Sequence, residues 1–177
     1  FMMSNPLVNP APALVEHGAK AVTALDVRWH RCDIKSISLL GNCMARQLSA
    51  EVGAVETILF RGDLLTEASA SNVLIVKNGV IITPPKNNLI LPGITLDVLF
   101  DVVARGQLPL EVREVTAAEV RSADELWVSS SSKEILAITT LDGQPIGEGR
   151  PGPVFRRAWQ IYQDFKNDVM RQHAAHA

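Results

Sequence analysis

The dipeptide Asn78-Gly79 constrains the fold most strongly, because it separates two short apolar runs, 72–77 and 80–83. A two-residue type I′ turn needs positive φ at both central positions, and Asn followed by Gly adopts that geometry readily. The sequence therefore predicts a β-hairpin over these two runs. A Pro-Pro pair follows the second run and ends its strand, since proline cannot donate to a sheet.

The rest of the chain alternates between helical and extended patterns. Apolar residues at spacings of three and four predict helices over 38–53, 95–106, 117–122 and 153–170. Alternating or β-branched apolar runs predict further strands over 20–29, 55–60, 110–115, 126–129 and 135–141. Because helices and strands are interleaved, we expect a mixed α/β (α+β) fold.

Two of the predicted helices carry a marked apolar stripe. The first stripe comprises Leu39, Leu40, Met44, Leu48 and Val52, and the last comprises Phe155, Trp159, Tyr162 and Phe165. A stripe of this kind usually faces the core of the domain. The helix that opens at Thr95 is expected to be capped by that residue's hydroxyl and to stop at Gly106.

The domain organisation follows from the prolines near the start. Three prolines between residues 5 and 13 cannot continue a helix or a central strand, so residues 1–13 are interpreted as an interdomain linker. Residues 14–170 form one predicted domain, and the Ala- and His-rich tail, 171–177, is expected to fray. A chain of 177 residues that is 47% hydrophobic is long enough to bury a core.

Charge and apolar runs exclude several kinds of partner. The formal net charge of −2 gives no electrostatic reason to expect binding to nucleic acid or to an anionic membrane. No apolar run approaches the roughly 18–20 residues that a membrane helix needs. The first residues lack the basic-then-apolar layout of a secretory signal.

The possible metal-binding and disulfide-forming residues are few. Cys32 and Cys43 cannot form a disulfide scaffold or a four-ligand zinc site, so we expect two buried free thiols and a cytoplasmic protein. His173 and His176 have helical ligand spacing, but no third ligand lies near them in the sequence. We therefore expect no metal site.

Four short segments could carry chemistry, and each also has an ordinary structural explanation. They are the lysine of Asp33-Ile34-Lys35-Ser36, the carboxylate of 65–72, the helix start at 91–95 and the serine run 129–132. The ordinary explanations are a surface lysine, a turn, an N-cap and a solvated loop. The glycine motifs of Rossmann folds, P-loops and α/β-hydrolases are absent.

Together the four segments contain the groups that pyridoxal 5′-phosphate requires. The cofactor needs a lysine for covalent attachment, an acid facing its pyridine nitrogen and a phosphate cup. Lys35 and Glu67 provide the first two. Thr95 and Ser131, with neighbouring backbone N–H groups, would form the cup.

The order of the motifs resembles the fold-type IV (class IV) pyridoxal-phosphate aminotransferases, and among them most closely the D-amino acid aminotransferases. The resemblance covers about residues 20 to 165. It rests on Arg31-Cys32-Asp33-Ile34-Lys35-Ser36, Leu39-Leu40-Gly41-Asn42, Thr66-Glu67-x-Ser69-x-Ser71-Asn72-Val73 and Leu91-Pro92-Gly93-Ile94-Thr95. It implies that the chain is the large, cofactor-binding C-terminal domain of that fold, in which a pseudo-barrel of strands is flanked by helices. It also implies that the enzyme is a homodimer.

The resemblance also implies roles for individual residues. Lys35 would be the Schiff-base lysine and catalytic proton carrier, and Glu67 would hold the ring nitrogen in its protonated form. The remaining cofactor-binding residues would be Leu91 under the ring, Ile94, Thr95, Ser130 and Ser131 at the phosphate, and Arg28, on the strand leading to Lys35, in support of Glu67.

This chain departs from the family pattern in two ways. Ala68 and Ala70 stand where the family often has Gly and Ser, so a hydroxyl near the ring is lost. The family's N-terminal small domain, which helps to hold the substrate carboxylate, has no counterpart here, and we expect the chain alone to be inactive as a transaminase.

The implied reaction is transfer of an amino group from a D-amino acid to a 2-oxo acid. A branched-chain aminotransferase and an aminodeoxychorismate lyase remain alternatives within the family. A non-catalytic binding domain that keeps the fold is the alternative outside it.

Overall fold

The computed structural model describes residues 10–174 and consists of one curled sheet with helices packed on it. The helices are α1 (Pro12–His17), α2 (Leu40–Glu51), α3 (Ile94–Arg105), α4 (Ala117–Arg121) and α5 (Pro153–Ala174). The strands are β1 (Ala19–Leu25), β2 (Glu56–Arg61), β3 (Leu64–Ala68), β4 (Asn72–Lys77), β5 (Val80–Thr83), β6 (Leu110–Val112), β7 (Glu125–Ser130), β8 (Glu134–Leu141) and β9 (Gln144–Pro145).

The strand order is β3-β2-β1-β8-β7-β4-β5-β6, and β9 pairs with β8. Strand β1 is parallel to both of its neighbours, and β5 is parallel to β6, whereas the other pairs are antiparallel. The predicted hairpin is confirmed, with Lys77 paired to Val80 across Asn78-Gly79. The mixed fold with a pseudo-barrel sheet and flanking helices is also confirmed.

Strand β4 is apolar from Val73 to Val76, and the packing on both of its faces explains why. Val73 and Ile75 face one hydrophobic cluster, and Leu74 and Val76 face a second cluster on the other side of the sheet. Side chains alternate along a strand, so a run without polar residues marks a strand buried on both faces. The second cluster includes buried residues of α3 and Phe155 of α5, as the stripe of the last helix predicts.

The apolar stripe of α2 does not face the core, contrary to the prediction from the sequence. The helix buries Ala45 and Ser49, and Thr57 of β2 donates a hydrogen bond of 2.6 Å to the Ala45 carbonyl oxygen. Small residues on this face let the helix lie close to the sheet. The predicted stripe instead points outward, with Leu40 76% exposed and Val52 62% exposed.

Three element boundaries also differ from the prediction. Pro12 begins α1 and so ends the predicted linker early, because the first helical position needs no N–H donor. Gly93, not Thr95, is the N-cap of α3, and no side chain in the described part of the chain caps that helix. Helix α5 extends to Ala174, beyond the predicted end at 170. Residues 1–9 and 175–177, including the rest of the predicted linker and tail, lie outside the described residues.

The strand predicted over 20–29 ends at Leu25, so Arg28 lies in an irregular segment and not on a strand. The reason is a local hydrogen bond: the backbone N–H of Arg28 donates to Asp26 Oδ1 at 3.0 Å. Such bonds from a side chain to the nearby backbone compete with sheet pairing. As a result Val27 and Trp29 are exposed and do not enter the core.

Candidate active site

A cleft of about 910 Å³ opens at one end of the sheet. Its walls come from the irregular segment after β1, one face of α2, the β3–β4 connection, the start of α3, and the end of β7 with the turn after it. All eight residues singled out from the sequence line it: Arg28, Lys35, Glu67, Leu91, Ile94, Thr95, Ser130 and Ser131. The fold therefore brings together residues that are up to about a hundred positions apart in the chain.

Glu67 lies near the end of β3 and is buried, with 5% of its surface exposed. Its Oε1 accepts a hydrogen bond of 2.5 Å from Arg28 Nη1. Its Oε2 accepts from the Leu91 backbone N–H at 3.0 Å and from Asn72 Nδ2 at 3.3 Å. Burial raises the pKa of Glu67 to about 7, although the charge of Arg28 opposes the shift.

Arg28 is held mainly by Asp26, a residue that the sequence analysis did not identify. Its Nε donates to Asp26 Oδ1 at 2.9 Å, and its Nη2 donates to Asp26 Oδ2 at 3.0 Å. Arg61 and Thr66 also contact the Asp26 carboxylate. Burial tends to raise the pKa of Asp26, but hydrogen bonds from Arg28 and its charge outweigh burial and hold that pKa below its ordinary value.

Lys35 is exposed and lines the cleft. It lies in the irregular segment between β1 and α2, so the expectation that it directly follows a strand is wrong. The nearby acid, Asp33, is paired with Arg31 in a two-pronged contact at 2.9 and 3.0 Å. This contact keeps Asp33 from being the partner of Lys35.

The other end of the cleft is rich in hydrogen-bond donors. The N-terminus of α3 opens toward it at Gly93, Ile94 and Thr95, and no side chain caps the first N–H groups. Gly93 packs so close to Asn72 that a Cβ at that position would lie 2.5 Å from Asn72 Oδ1. Helix N-termini attract anions through free N–H groups and the helix dipole.

The serine run lies close to this helix start, because Asn72 pairs with Ser129 in the sheet and also packs against Gly93. Ser129 is 1% exposed, and its hydroxyl oxygen is buried with no hydrogen-bond partner among the described residues. Ser130, the last residue of β7, and Ser131 and Ser132 in the turn after it are more exposed. A buried hydroxyl without a partner on the wall of a cleft is a position where a ligand oxygen can bind.

Three polar residues around the site were missed in the sequence. Asp26 stands two positions before Arg28, a spacing that places both side chains on one side of an extended segment. Asn72 closes the motif that contains Glu67, and its amide joins Glu67 to the Leu91 carbonyl oxygen at 2.8 Å. Glu56 opens a strand whose centre, Ile58–Phe60, is apolar, and a charged residue at the start of a buried strand indicates a buried partner of opposite charge.

The two cysteines are both free thiols, but they differ in burial. Cys32 is buried as expected, whereas Cys43 on α2 is exposed, so the expectation of two buried thiols is wrong for Cys43. Within residues 10–174, no helix has both the length and the apolar character needed to cross a membrane. The predicted His173–His176 pair lies partly outside the described residues, since His176 is in the final segment.

Curated D-alanine aminotransferases are similar to this chain over most of its length. A D-alanine aminotransferase of Listeria monocytogenes is 44% identical over 154 residues, which are 87% of this chain and 52% of that protein. The chain spans about half the length of the curated relatives it matches.

Solved structures show the same fold. The branched-chain aminotransferase of Escherichia coli matches with a TM-score of 0.75 and 26% identity, over 85% of this chain and 51% of that chain. The branched-chain aminotransferase of Thermobaculum terrenum, solved in its PLP-bound form, matches with a TM-score of 0.77 and 25% identity, over 83% of this chain and 50% of that chain.

The family comparison covers most of the chain. Residues 1–141 match the family described as Amino-transferase class IV. This match includes the segments that carry Lys35, Glu67, Thr95 and Ser131, which the fold gathers around one cleft. The chain therefore belongs to the class IV aminotransferases.

Proposed function

We propose that this chain forms the cofactor-binding part of a pyridoxal-phosphate enzyme that transfers an amino group from a D-amino acid to a 2-oxo acid. The observation that carries the proposal is the environment of Glu67. This carboxyl group is buried at the cleft, with a pKa near 7 and fixed by Arg28 and the Leu91 N–H. A carboxyl group so placed can pair with a protonated ring nitrogen.

Three features of the cleft support this cofactor as its ligand. Lys35 provides an amine on the cleft wall, and Glu67 provides an acid fixed in one orientation. The uncapped start of α3 and the buried Ser129 hydroxyl provide donors for a phosphate group. The half-buried Leu91 side chain offers an apolar surface between these polar groups.

The proposed roles follow from what each residue can do chemically. Bound pyridoxal phosphate supplies the electron sink that makes the substrate Cα–H acidic. Lys35 would hold the cofactor through its side-chain amine and would serve as the base that moves the proton of the substrate Cα. Glu67 keeps the ring nitrogen protonated, and Arg28 holds Glu67 in place. Ile94, Thr95, Ser130 and Ser131 bind the phosphate.

The D-amino acid preference rests on the 44% identity to a D-alanine aminotransferase. The solved structures include branched-chain aminotransferases, so branched-chain transamination is the second candidate. The full expressed polypeptide that carries this chain should accept D-alanine as amino donor in preference to L-leucine. The reverse preference would favour the second candidate.

Covalent labelling tests the cofactor assignment. The 177-residue chain is incubated with pyridoxal phosphate, reduced with borohydride and digested, and the modified lysine is identified by mass spectrometry. We expect modification at Lys35 and its loss in Lys35→Ala, with the fold retained. Lys77→Ala, at a surface lysine paired with Asp124, is the matched control and should remain modified at Lys35.

Two other results of the labelling have clear meanings. Modification at Lys77, Lys86 or Lys133 in place of Lys35 would contradict the assignment. Absence of any absorbance change and of any modification would favour a non-catalytic binding domain that keeps the fold.

We also propose a homodimer and a cytoplasmic location. The outward apolar stripe of α2 supports an interface, because contiguous exposed apolar surface of this kind commonly marks a contact with another chain or domain. Light scattering on the purified chain measures its mass in solution, and a monomer at high concentration would contradict the homodimer. The two free thiols, Cys32 and Cys43, support a reducing compartment.

A further inference from the structure

A second buried acid lies behind the donor-rich end of the cleft. Glu56, the first residue of β2, is fully buried, and its carboxylate accepts a hydrogen bond of 2.9 Å from Lys133 Nζ. Ser71 Oγ donates to the same carboxylate at 2.6 Å, and Ser69 Oγ also donates to it. The Lys133 side chain is 18% exposed, so this ion pair is largely removed from solvent.

The ion pair joins two segments that line the cleft. Ser69 and Ser71 belong to the connection between β3 and β4, and Lys133 follows the serine run directly. The Lys133 backbone N–H donates to Ser130 Oγ at 3.2 Å, which closes the turn. Lys133 therefore fixes the serine turn at two points, through its backbone and through its side chain.

These bonds also decide which hydroxyl groups can donate to a ligand. Ser69 and Ser71 both direct their protons to Glu56, so toward the cleft they can only accept. Ser130 accepts from the Lys133 N–H, which leaves its proton free to donate. Of the serines around Glu56 and Lys133, those of the serine run are therefore the ones that keep a proton to donate to an anion.

The positive charge of Lys133 also affects how strongly the cleft repels an anion. A buried carboxylate behind an anion site repels the anion, and this repulsion is strong where solvent is excluded. Lys133 places its ammonium group directly on Glu56 and cancels that repulsion. Burial tends to raise the pKa of Glu56, but the charge of Lys133 and the serine hydrogen bonds outweigh burial and hold that pKa below its ordinary value.

We propose that Lys133, held by Glu56, is a positioning residue for the phosphate of the bound cofactor: it orients the serine turn and neutralises the acid behind it. This proposal rests on the proposed function, since it assigns the donor-rich end of the cleft to the phosphate group. It concerns residues that do not line the cleft but act through those that do.

The test compares ligands with and without the phosphate group. Dissociation constants for pyridoxal phosphate and pyridoxal are measured by absorbance, and that for inorganic phosphate by the shift in melting temperature. We expect Lys133→Met to weaken binding of both phosphate-bearing ligands by about tenfold or more. Binding of pyridoxal should stay within about twofold of the wild-type value.

Three further variants separate positioning from a structural role. Lys133→Arg should restore phosphate binding, because it keeps the charge opposite Glu56. The double variant Glu56→Gln, Lys133→Met should bind phosphate more tightly than Lys133→Met alone, because the uncompensated negative charge is gone. Lys166→Met, which removes a lysine paired with Glu134 next to the same turn, is the control for lost positive charge and should leave phosphate binding unchanged.

The possible outcomes are distinct. Equal weakening of pyridoxal and pyridoxal phosphate, or no weakening at all, overturns the proposal, as does the absence of any phosphate effect on the wild-type chain. If the wild-type chain does not attach pyridoxal phosphate but is stabilised by inorganic phosphate through Lys133, the proposed function fails and the anion site stands. If Lys133→Met does not fold, the double variant decides, since it should bind phosphate more weakly than the wild-type chain, because the turn is no longer held, and should keep pyridoxal binding.

Discussion

The surroundings of Glu56 and Glu67 give the most informative comparison in this molecule. The two carboxyl groups lie on neighbouring strands, each is buried, and each accepts three hydrogen bonds, one of them from a basic side chain. Their titration nevertheless differs. The pKa of Glu56 lies below its ordinary value, whereas burial raises that of Glu67 to about 7.

The difference lies in how the positive charge is shared. Among the acids of residues 10–174, Lys133 pairs with Glu56 and no other, whereas Arg28 directs Nε and Nη2 to Asp26 and Nη1 to Glu67. The nearby charge of Asp26 also raises the Glu67 pKa. At Glu67 the shared guanidinium does not offset burial, so the pKa stays raised, whereas at Glu56 the charge of Lys133 and the two serine hydroxyls outweigh burial.

The comparison separates a structural acid from a functional one. Glu56 keeps a fixed negative charge that organises two loops. Glu67 can gain or lose a proton near neutral pH, and an additional positive charge from a ligand would stabilise its ionised form. Acids with strongly shifted pKa values at a cleft are candidates for function.

Removing Arg28 should have the largest effect on stability. Arg28→Met leaves Asp26 and Glu67 buried beside each other without the guanidinium that they share. Breaking a buried ion pair on one side costs about 3–5 kcal/mol, so we expect the free energy of unfolding to fall by that amount. Urea denaturation at pH 7 measures the change.

The matched control for this variant is Arg31→Met. Arg31 pairs with Asp33 at the surface, so its removal should leave the urea midpoint unchanged. Equal midpoints for wild type and Arg28→Met would show that Arg28 does not compensate the two acids.

The next largest expected effect is on the pH dependence of stability, which should differ between Glu67 and Glu56. Glu67 binds a proton more tightly in the folded state, with a pKa of about 7 against an ordinary value of 4.5. The stability from that proton is fully present below pH 4.5 and is lost as the pH rises through 7. The full effect is about 3 kcal/mol, and Glu67→Gln should remove it.

Urea denaturation of wild type and Glu67→Gln between pH 4 and about 8.5 gives the difference curve. The free energy of unfolding of the variant, relative to wild type, should increase as the pH rises toward 7 and should stay constant at higher pH. A flat difference curve would mean that Glu67 titrates at its ordinary pKa.

Glu56→Gln should give the opposite pH dependence with a smaller effect. The lowered pKa of Glu56 means that its ionised form contributes stability above pH 4.5, and this contribution is lost as the pH falls through the folded-state pKa. At pH 7 the variant leaves Lys133 without a charged partner, which costs about 1–3 kcal/mol. Urea denaturation extended below about pH 4 should show the stability loss of Glu56→Gln shrinking in acid. A loss that is the same at every pH would contradict the lowered pKa of Glu56.

The strands were predicted well from the sequence where a local signal, such as an Asn-Gly turn, determines the structure. The hairpin at Asn78-Gly79 and both of its strands were predicted to the residue. Strand β3 was missed, because Leu64–Ala68 contains Thr66 and Glu67, whose polar groups are buried at the site. A strand that supplies a functional acid lacks the apolar pattern by which strands are identified.

The orientation of α2 could not be predicted from periodicity alone. Its three- and four-residue spacing identified the helix, but spacing does not tell which surface an apolar stripe contacts. Ala45 and Ser49 face the sheet because only small side chains fit there, and Leu40, Met44 and Leu48 point away. The contacts of Arg28 with Asp26 and Glu67 were likewise set by tertiary packing, although resemblance had suggested the second of them.

Removing one neutral hydrogen-bond donor should raise the pKa of Glu56 and so bring its titration closer to that of Glu67. Ser71→Ala deletes the hydroxyl that donates to Glu56 Oε1 at 2.6 Å and also lies 3.4 Å from Lys133 Nζ. The carboxylate keeps its ion pair, so we expect a loss of about 1 kcal/mol at pH 7. The Glu56 pKa should rise toward its ordinary value, which moves the acid unfolding limb to higher pH. Ser122→Ala, an exposed serine far along the chain, is the control and should leave that limb in place. An unmoved acid limb in Ser71→Ala would show that Lys133 alone keeps Glu56 ionised.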